Sequence, residues 1–267
     1  MTSPDAALGL LPYSEFTPPA QLHSYVACFW QSSAPDQPRQ TTILPDGCID
    51  LIWQAGREPF VAGPMTAPAV TLTEPGIVTL GVRFKPGAAA ALLGVAASEL
   101  CDSSVALREL RPRAWQQVTW DRALAVTDTL SLHDATSAVT ALLERATPTD
   151  RFVADASRWL AQHPAQPAAD FIAGSGLGER QARRRFQDHV GYGPKTLQRI
   201  LRMQRVLWLL SRSRPPRSLA GLAHAAGFAD QAHLTREMRA LTGQLPTTLV
   251  ACNPQSAVAD LFKTPLT

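Results

Sequence analysis

The sequence has few cysteines and lacks the short motifs that mark common enzymes. Its 267 residues include four cysteines. None of them forms a CxxC pair and no signal-peptide pattern precedes them, so we expect reduced thiols in the cytoplasm. No apolar run approaches the length of a membrane span, so no membrane partner is expected. There is no serine–histidine–aspartate order, phosphate loop or HExxH motif, and we therefore expect no enzyme activity, no cofactor and no metal.

The positive charge of the chain is concentrated in its C-terminal part. The formal net charge is +3, but residues 151–250 contain 15 lysines and arginines, 14 of them arginine, against 6 aspartates and glutamates. This segment therefore carries +9 and the remainder carries −6. A basic part joined to an acidic remainder indicates that the basic part binds a polyanion. The length and the hydrophobic content of 45% suit a globular protein of two domains.

The stretch LGERQARRRFQDHVGYGP, residues 177–194, predicts a short amphipathic helix. Its apolar stripe, with the i, i+4 and i+8 spacing of one helix face, is Ala182, Phe186 and Val190. Its basic face carries Arg180, Arg183, Arg184 and Gln187. We expect Gly191 to end the helix with a left-handed cap and Pro194 to prevent its restart.

A second helical segment precedes this helix. Residues 168–173 form a small, mostly apolar helical segment, and a glycine-containing turn over residues 174–176 follows them. A helix, a turn of this kind and a second helix with a basic outer face form the pattern of a helix-turn-helix. Three consecutive arginines can also simply line a solvated helix face, and the residues that follow favour the first interpretation.

Downstream, the sequence predicts a long helix and a second unit of the same kind. The spacing in residues 195–212 predicts a helix with an apolar stripe of Ile200, Met203, Leu207 and Leu210. A short helix over residues 218–226 is expected to end at Gly227, and Asp230 is placed to cap the next helix. Three residues of that helix are expected to face inward: Leu234, Met238 and Leu241. We expect Gly243 and Pro246 to close it.

Two helix-turn-helix units joined by a long helix resemble the AraC/XylS family of bacterial transcription regulators. The resemblance covers about residues 152–250, including LGERQARRRFQDHVGYGPKTLQRILRMQRVLWLL and LAGLAHAAGFADQAHLTREMRALTGQLP. The positions that carry its spacing are Phe186, Gly191, Pro194, Gly227, Phe228, Leu234 and Pro246. The sequence departs from the family pattern at Gly178 in place of a hydroxyl N-cap, at Met238 in place of an aromatic residue, and at the small Ala232.

In that family the exposed residues of each second helix enter successive major grooves, so the resemblance implies two sets of base-reading side chains. The first set is Arg180, Arg183, Arg184 and Gln187. The second set is Gln231, Ala232, Thr235 and Arg236. Arginine suits guanine, glutamine suits adenine, and threonine or alanine can meet a thymine methyl. Five further residues are expected to contact phosphates or to be solvated: Arg185, Lys195, Arg199, Arg202 and Arg205.

The N-terminal half predicts a small antiparallel sheet, in a barrel or sandwich, over residues 20–85. The strand candidates are residues 22–33, 48–53, 61–65, 69–73 and 77–84. A helical segment follows over residues 87–145, and residues 147–150 form the expected boundary. The fold class is therefore α+β. The predicted domains are residues 1–150, a DNA-binding domain of residues 151–252 and a tail of residues 253–267.

Three N-terminal segments, LPDGCIDLIW, VAGP and GVRFKPGAAAALLGV, resemble the poorly characterised N-terminal domain of one AraC-like subgroup. This resemblance implies a domain for sensing or dimerisation. The expected partner is double-stranded DNA, and the further candidates are a small-molecule effector, a second copy of the chain and RNA polymerase. We therefore interpret the chain as a sequence-specific DNA-binding transcription regulator controlled through its N-terminal domain.

The cysteines keep a second interpretation open. Cys48 lies between Asp46 and Asp50, with His23 and Cys28 upstream, which suggests a metal or sensor site. The apolar strand contexts of the two cysteines favour buried packing instead. Some relatives combine the same DNA-binding module with an alkyl-accepting cysteine, so the alternative function is a cysteine-based sensor or DNA-repair protein. Such a cysteine needs a cationic, partly exposed neighbourhood.

The charge pattern predicts that DNA binding depends steeply on salt. Lysine and arginine contacts to phosphates release counterions from the DNA, so the affinity falls as the salt concentration rises. In a titration series with one duplex, we expect the logarithm of the association constant to fall linearly with the logarithm of the salt concentration. A flat response would contradict phosphate contact by the basic segment.

Overall fold

The computed structural model describes residues 13–33, 37–110, 126, 130–144, 149–212, 215–216 and 218–251. Its N-terminal region is built on antiparallel strands. They are β1 (Tyr13–Phe16), β2 (Val26–Ser33), β3 (Arg39–Ile43), β4 (Ile49–Gln54), β5 (Phe60–Ala62), β6 (Ala69–Thr73), β7 (Val78–Phe84) and β8 (Ser104–Ala106). Six strands form one sheet in the order β1-β2-β7-β4-β5-β8, and β3 pairs with β6 in a separate ribbon. The helices of this region are α1 (Ala89–Leu93) and α2 (Leu132–Leu143).

Strand β4 shows how the sheet divides its two faces. Ile49, Leu51 and Trp53 alternate with Asp50 and Ile52, because successive side chains of a strand point to opposite faces. The first three lie in the main N-terminal core, to which α1 and α2 also contribute. The other two line a cavity that the β3–β6 ribbon closes from the opposite side. One face of the sheet therefore packs on helices, and the other face is turned toward the ribbon.

The predicted antiparallel sheet and the α+β fold class are confirmed, with differences at strand ends. The strand expected from residue 22 begins at Val26, after a 3₁₀ turn over Ala20–Leu22. Strands β1, β3 and β8 lie outside the predicted strands, because pairing with β2, β6 and β5 defines these short strands more than their own residues do. Of the helical segment expected over residues 87–145, α1 and α2 are described, and the short strand β8 lies between them. Residues 145–148, Cys252 and the tail 253–267 lie outside the described residues.

The C-terminal region is helical. Its helices are α3 (Arg151–Gln162), α4 (Ala168–Gly174), α5 (Glu179–Val190), α6 (Pro194–Ser211), α7 (Leu219–Ala226), α8 (Gln231–Thr242) and α9 (Pro246–Ala251). The pairs α4–α5 and α7–α8 correspond to the two predicted helix-turn-helix units, and α6 is the long helix between them. The apolar stripes predicted for α5, α6 and α8 are all buried, with at most 2% exposure. Within the described ranges, no helix has both the length and the apolar composition needed to cross a membrane.

Glycines end the helices as predicted, but two prolines have a different role. Gly191 (φ +98°) and Gly243 (φ +72°) are left-handed C-caps of α5 and α8. The expectation that Pro194 prevents a restart is wrong, because Pro194 is the first residue of α6, and Pro246 likewise begins α9. Proline suits that position, since its missing N–H would have no partner in the first turn and its φ is already helical.

Helix α6 is the common support of both units. Its apolar stripe lies in one buried cluster with Phe186 of the first unit and with Ala226 and Leu234 of the second unit. Leu44, from the end of β3, belongs to the same cluster. The relative placement of the two units therefore depends on one continuous core, and a residue of the N-terminal region takes part in it.

The turn after β3 connects the two regions. The side-chain amide of Gln204 on α6 donates to the carbonyl oxygen of Pro45 at 2.7 Å, and Gln204 is buried. Gly47 has φ +83°, and a Cβ there would lie 2.8 Å from Leu197 Cδ1 and 3.7 Å from Tyr192 Oη. Glycine is favoured at this position both for its left-handed backbone and for the close approach to α6.

Candidate functional site

Helix α5 presents its predicted basic face to solvent. Arg180, Arg183 and Arg184 are exposed, and Gln187 is half-buried. The N-cap residue, Gly178, provides no side-chain hydrogen bond, so no cap side chain occupies the first N–H groups of the helix. Free N–H groups at a helix N-terminus attract phosphate oxygens. The structure therefore brings the four residues of the first predicted set together at the surface of one helix.

Helix α8 presents the second predicted set. Gln231, Ala232 and Arg236 are exposed, and Thr235 is half-buried. The predicted cap is confirmed, since Asp230 accepts a hydrogen bond from the backbone N–H three residues later at 2.6 Å. The hydroxyl of Thr235 donates to the Gln231 carbonyl oxygen at 2.8 Å. This side chain consequently offers a methyl group and an acceptor oxygen to a partner.

The residues predicted to contact phosphates differ in whether contacts within the protein already engage their side chains. Lys195, at the start of α6, is exposed. Arg185 forms an ion pair with Asp150 at 3.4 Å, and Arg205 donates from Nε to a carbonyl oxygen of α7 at 2.8 Å. The structure therefore leaves Lys195 open to a phosphate, while the two arginines also hold parts of the chain together.

Arg199 and Arg202 link α6 to its neighbours. Arg199 Nε lies 2.6 Å from Glu237 Oε2 on α8, and Arg202 Nε donates to the Pro164 carbonyl oxygen at 2.6 Å. Burial lowers the pKa of Arg202, while Glu237 acts in the opposite direction. Sequence reasoning missed these internal contacts, because their partners are 38 positions away along the chain. Phosphate contact by these two arginines stays a prediction.

A cavity of about 350 Å³ lies between the six-stranded sheet and the β3–β6 ribbon. Trp30 of β2 and Ile52 of β4 line it on the sheet side. A Cβ at Gly81 of β7 would lie only 2.3 Å from the Trp30 ring, so the absence of a side chain at Gly81 makes room for this ring. Tyr13 stacks on Trp30 with the ring centroids 6.1 Å apart. The sheet side of the cavity is therefore aromatic.

A buried arginine lies beside this cavity. Arg83 is 1% exposed and donates to Asp50 from Nε at 3.1 Å and from Nη2 at 2.8 Å, while its Nε is also 3.1 Å from Asp46 Oδ2. Trp30 Nε1 donates to the same Asp50 at 3.0 Å. Burial lowers the pKa of Arg83, but Asp50 and Asp46 raise it more, so its pKa lies above the ordinary value. The sequence analysis did not identify this pair. The signal that could have revealed it is one aspartate in the apolar strand β4 and one arginine in the apolar strand β7.

The same contacts bear on the suggested metal or sensor site around Cys48. Asp46 and Asp50 are bound to the buried arginine, and His23 Nε2 lies 2.8 Å from a backbone carbonyl oxygen. Among the described residues, no group of three or more histidines, cysteines and carboxylates is placed to hold a metal ion. The expected buried packing of Cys28 and Cys48 is confirmed. Burial, and then Asp46, raise the pKa of the Cys48 thiol well above its ordinary value.

Comparison with known protein families gives two matches. Residues 14–106 match a family described as a domain of unknown function, DUF6597. Residues 172–251 match a family described as a helix-turn-helix domain, and this range contains α5 to α9 and part of α4. No curated protein matches the chain.

Several solved structures are similar to parts of the chain. A probable AraC family transcriptional regulator from Rhodopseudomonas palustris is 23% identical, with 39% of this chain and 98% of that chain covered and a TM-score of 0.35. An apo form of ToxT from Vibrio cholerae is 9% identical, with 84% and 97% covered and a TM-score of 0.44. ToxT bound to an unsaturated fatty acid is 8% identical, with 80% and 94% covered and a TM-score of 0.39.

The two matched families divide the chain into an N-terminal domain and a C-terminal helix-turn-helix domain. The helix-turn-helix match lies in the predicted DNA-binding region, and the DUF6597 match lies in the predicted N-terminal domain. The predicted resemblance of the C-terminal region and its helix-turn-helix architecture are thus confirmed. The individual side chains predicted to contact DNA stay predictions. The structure places the two base-reading sets on α5 and α8, with Gln187 and Thr235 half-buried and the other members exposed.

The pKa of Cys101 gives a test of cysteine reactivity. Burial, and then the Asp102 carboxylate, raise the pKa of this half-buried thiol to about 11. Because the thiolate is the nucleophile, alkylation by iodoacetamide should be slow at neutral pH and should accelerate about tenfold per pH unit up to the pKa. The rate is measured by mass spectrometry in a Cys252→Ser background. Asp102→Asn should shift the rate profile to lower pH, and a wild-type rate that levels off near neutral pH would contradict the assignment.

Proposed function

We propose that this protein is a sequence-specific transcription regulator in which α5 and α8 read two adjacent major-groove segments of one DNA site. The observation that carries the proposal is the shared core on α6, against which both helix-turn-helix units pack. One chain then positions two recognition helices, whereas a protein with a single unit needs a dimer to reach two grooves.

The length of α6 is compatible with this geometry. The helix has 18 residues, so it spans roughly 27 Å at a rise of 1.5 Å per residue. Recognition helices that read the same face of DNA lie roughly 34 Å apart, which is one helical turn. Contacts that brace α6, such as Arg199 with Glu237, support a fixed spacing between the two units.

The proposed roles of the side chains follow from their chemistry and exposure. The base-reading residues of α5 are Arg180, Arg183, Arg184 and Gln187. Those of α8 are Gln231, Ala232, Thr235 and Arg236. The phosphate-binding residues are Arg185, Lys195, Arg199 and Arg202. The exposed arginines can bind guanine through two hydrogen bonds, which is the commonest base-specific contact in protein–DNA complexes.

Control by the N-terminal domain is supported by the turn over residues 45–47. This turn forms part of the cavity wall through Asp46, and it contacts α6 through Pro45 and Gly47. A change at the cavity that moves the turn would therefore act directly on the helix that positions both recognition helices. The hydroxyl of Tyr192 is buried next to this turn without a hydrogen-bond partner among the described residues, and such a group costs free energy in the docked arrangement.

The alternative, a cysteine-based sensor or repair protein, receives less support. Among the described cysteines, the pKa values of Cys48 and Cys101 are raised. The larger cause is burial, and the next is a neighbouring carboxylate. A cysteine that accepts alkyl groups or senses oxidants needs the opposite shift. The transcription regulator therefore remains the proposed function.

Footprinting of the DNA-binding domain tests the proposal directly. If one chain reads two adjacent grooves, a fragment of residues 151–267 should bind as a monomer to an asymmetric site of roughly 15–20 base pairs. The binding stoichiometry is measured together with the protected region. A requirement for two copies on a palindromic site would contradict the single-chain arrangement.

Variants of two exposed cationic side chains distinguish base reading from phosphate contact. Arg183→Ala should weaken binding to the best site by about 1–3 kcal/mol and relax the preference at one base pair. Lys195→Ala, the matched control, should weaken binding to all sequences about equally and reduce the salt dependence. Binding to a randomised set of duplexes measures both effects. A uniform loss for both variants would show that the base-reading face of α5 is assigned incorrectly.

Variants of two buried glutamines of α6 test whether the N-terminal domain controls DNA binding through the turn over residues 45–47. Gln204 donates to Pro45 across the two regions, whereas Gln198 donates to Gln166 within the C-terminal region. Gln204→Ala should therefore shift the DNA affinity of the full chain toward that of the 151–267 fragment, and it should leave the fragment itself unchanged.

The matched Gln198→Ala variant should affect the full chain and the fragment equally, because its lost bond is present in both. DNA affinity is measured for the two variants in both forms. Equal effects of Gln204→Ala in the full chain and in the fragment would argue against control through the turn.

A further inference from the structure

Helices α5 and α8 end in the same way but in different surroundings. Gly191 after α5 and Gly243 after α8 are both left-handed C-caps. A Cβ at Gly191 would lie 2.6 Å from Pro64 Cγ and 3.1 Å from the Ala97 carbonyl oxygen, both in the N-terminal region. A Cβ at Gly243 would have no described atom within 4 Å. The N-terminal region therefore encloses the end of α5, while no described residue encloses the end of α8 in this way.

A second close approach lies between Gly87 and the helices α3 and α5. Gly87 follows β7, and a Cβ there would lie 2.8 Å from Val153 Cγ1 of α3 and 3.9 Å from Val190 Cγ2 of α5. The two valines are at most 1% exposed, and the χ1 angle of valine is stiff. A side chain at Gly87 would therefore push the N-terminal region away from these helices.

Broader contacts surround these two points. Helix α1 and the 3₁₀ turn over Ala97–Glu99 pack on α5. Cys101, just after that turn, packs against the core cluster of the C-terminal region. We call the surface formed by Pro64, Gly87, α1, Ala97–Glu99 and Cys101 the docking face. It covers α3 and the C-terminal end of α5.

The second helix-turn-helix unit is held by contacts within the C-terminal region. Glu237 of α8 pairs with Arg199 of α6, with 2.6 Å between Oε2 and Nε. A Cβ at Gly227, which ends α7, would lie 2.5 Å from the carbonyl carbon of Pro164, between α3 and α4. Among the described elements, neither α7 nor α8 contacts the strands and helices of the N-terminal region as extensively as α5 does. The docking face therefore bears on one of the two units.

We propose that the docking face is a support for α5 alone: it holds this helix in the placement that reads DNA, and loosening it weakens binding to the segment read by α5 while sparing the segment read by α8. The inference rests on the proposed function, in which both helices read DNA. Arg180, Arg183 and Arg184 stay exposed in the docked arrangement, so docking is compatible with DNA binding. The turn over residues 45–47 differs, because it contacts α6 and hence acts on both units.

Cysteine alkylation measures the docking without DNA. Cys101 belongs to the docking face, so its reaction with iodoacetamide in the full chain, in a Cys252→Ser background at constant pH, reports whether the face is covered. Gly87→Ala places a methyl group against the buried Val153 and should accelerate this reaction severalfold. Cys28, which is buried within the N-terminal region, should stay protected and shows that the sheet remains folded.

Gly76→Ala is the matched control. Gly76 has φ +75° and Gly87 has φ +84°, so alanine is strained at both positions, but a Cβ at Gly76 would have no described atom within 4 Å. The control variant should therefore leave the alkylation rate of Cys101 unchanged. An equal acceleration in both variants, or no acceleration in Gly87→Ala, would overturn the proposal.

A comparison without any variant of the docking face keeps the test decisive if Gly87→Ala does not fold. Coupling between two sites is reciprocal, so DNA that engages α5 should strengthen the docking. Saturation of the Cys252→Ser protein with a selected duplex should slow the alkylation of Cys101, and a duplex in which only the segment read by α5 is scrambled should not. An equal rate with and without the selected duplex would overturn the proposal.

Footprinting of the full chain separates the two DNA segments. Gly87→Ala should reduce protection of the segment whose preference Arg183→Ala relaxes, at protein concentrations that still protect the segment whose preference Arg236→Ala relaxes. Gly76→Ala should protect both segments. An equal loss at both segments in Gly87→Ala would overturn the proposal. If the wild-type chain selects no DNA site, the proposed function fails, whereas the alkylation rates of the free protein do not depend on DNA, so the two failures are distinguishable.

Discussion

The burial of the apolar stripe of α6 is the interaction on which the placement of the two helix-turn-helix units depends. Ile200, Met203, Leu207 and Leu210 are at most 2% exposed, and burial of one such side chain stabilises a fold by roughly 1.5–3 kcal/mol. The surface residues of α5 and α8 contribute little to stability, but their relative positions follow from this core. A substitution in the stripe would therefore alter the spacing of two otherwise intact helices, and with it the proposed recognition of DNA.

Burial of charge organises the other half of the molecule. Arg83 pairs with Asp50 directly across β7 and β4, in a sheet whose opposite face is fully apolar at Leu51 and Val82. Such a pair contributes little net stability, since both groups lose their hydration, but removal of one partner leaves the other uncompensated. Through Asp50, which lines the cavity, the pair also fixes one side of the cavity wall.

Much of the C-terminal region could be predicted from its residues, because periodic apolar spacing and capping residues act over short distances. The stripe of Phe186 and the Asp230 cap are examples. Contacts between distant segments could not be predicted, such as Arg83 with Asp50 or Gln204 with Pro45, since no local pattern reports a partner in another strand or region. Pro194 was ambiguous for a different reason: proline is common both after one helix and at the start of the next.

The hydrogen bond from Gln204 ends on a backbone carbonyl oxygen rather than on a side chain. This contact of α6 therefore depends on the backbone conformation around residues 45–47 and not on the side chains that line the cavity. Under the proposed control through this turn, the lining of the cavity could diversify during evolution without any change in the contact with α6. A chimaeric regulator that keeps this turn and replaces the strands around it would preserve the junction, which makes the turn a natural point for exchanging sensor domains.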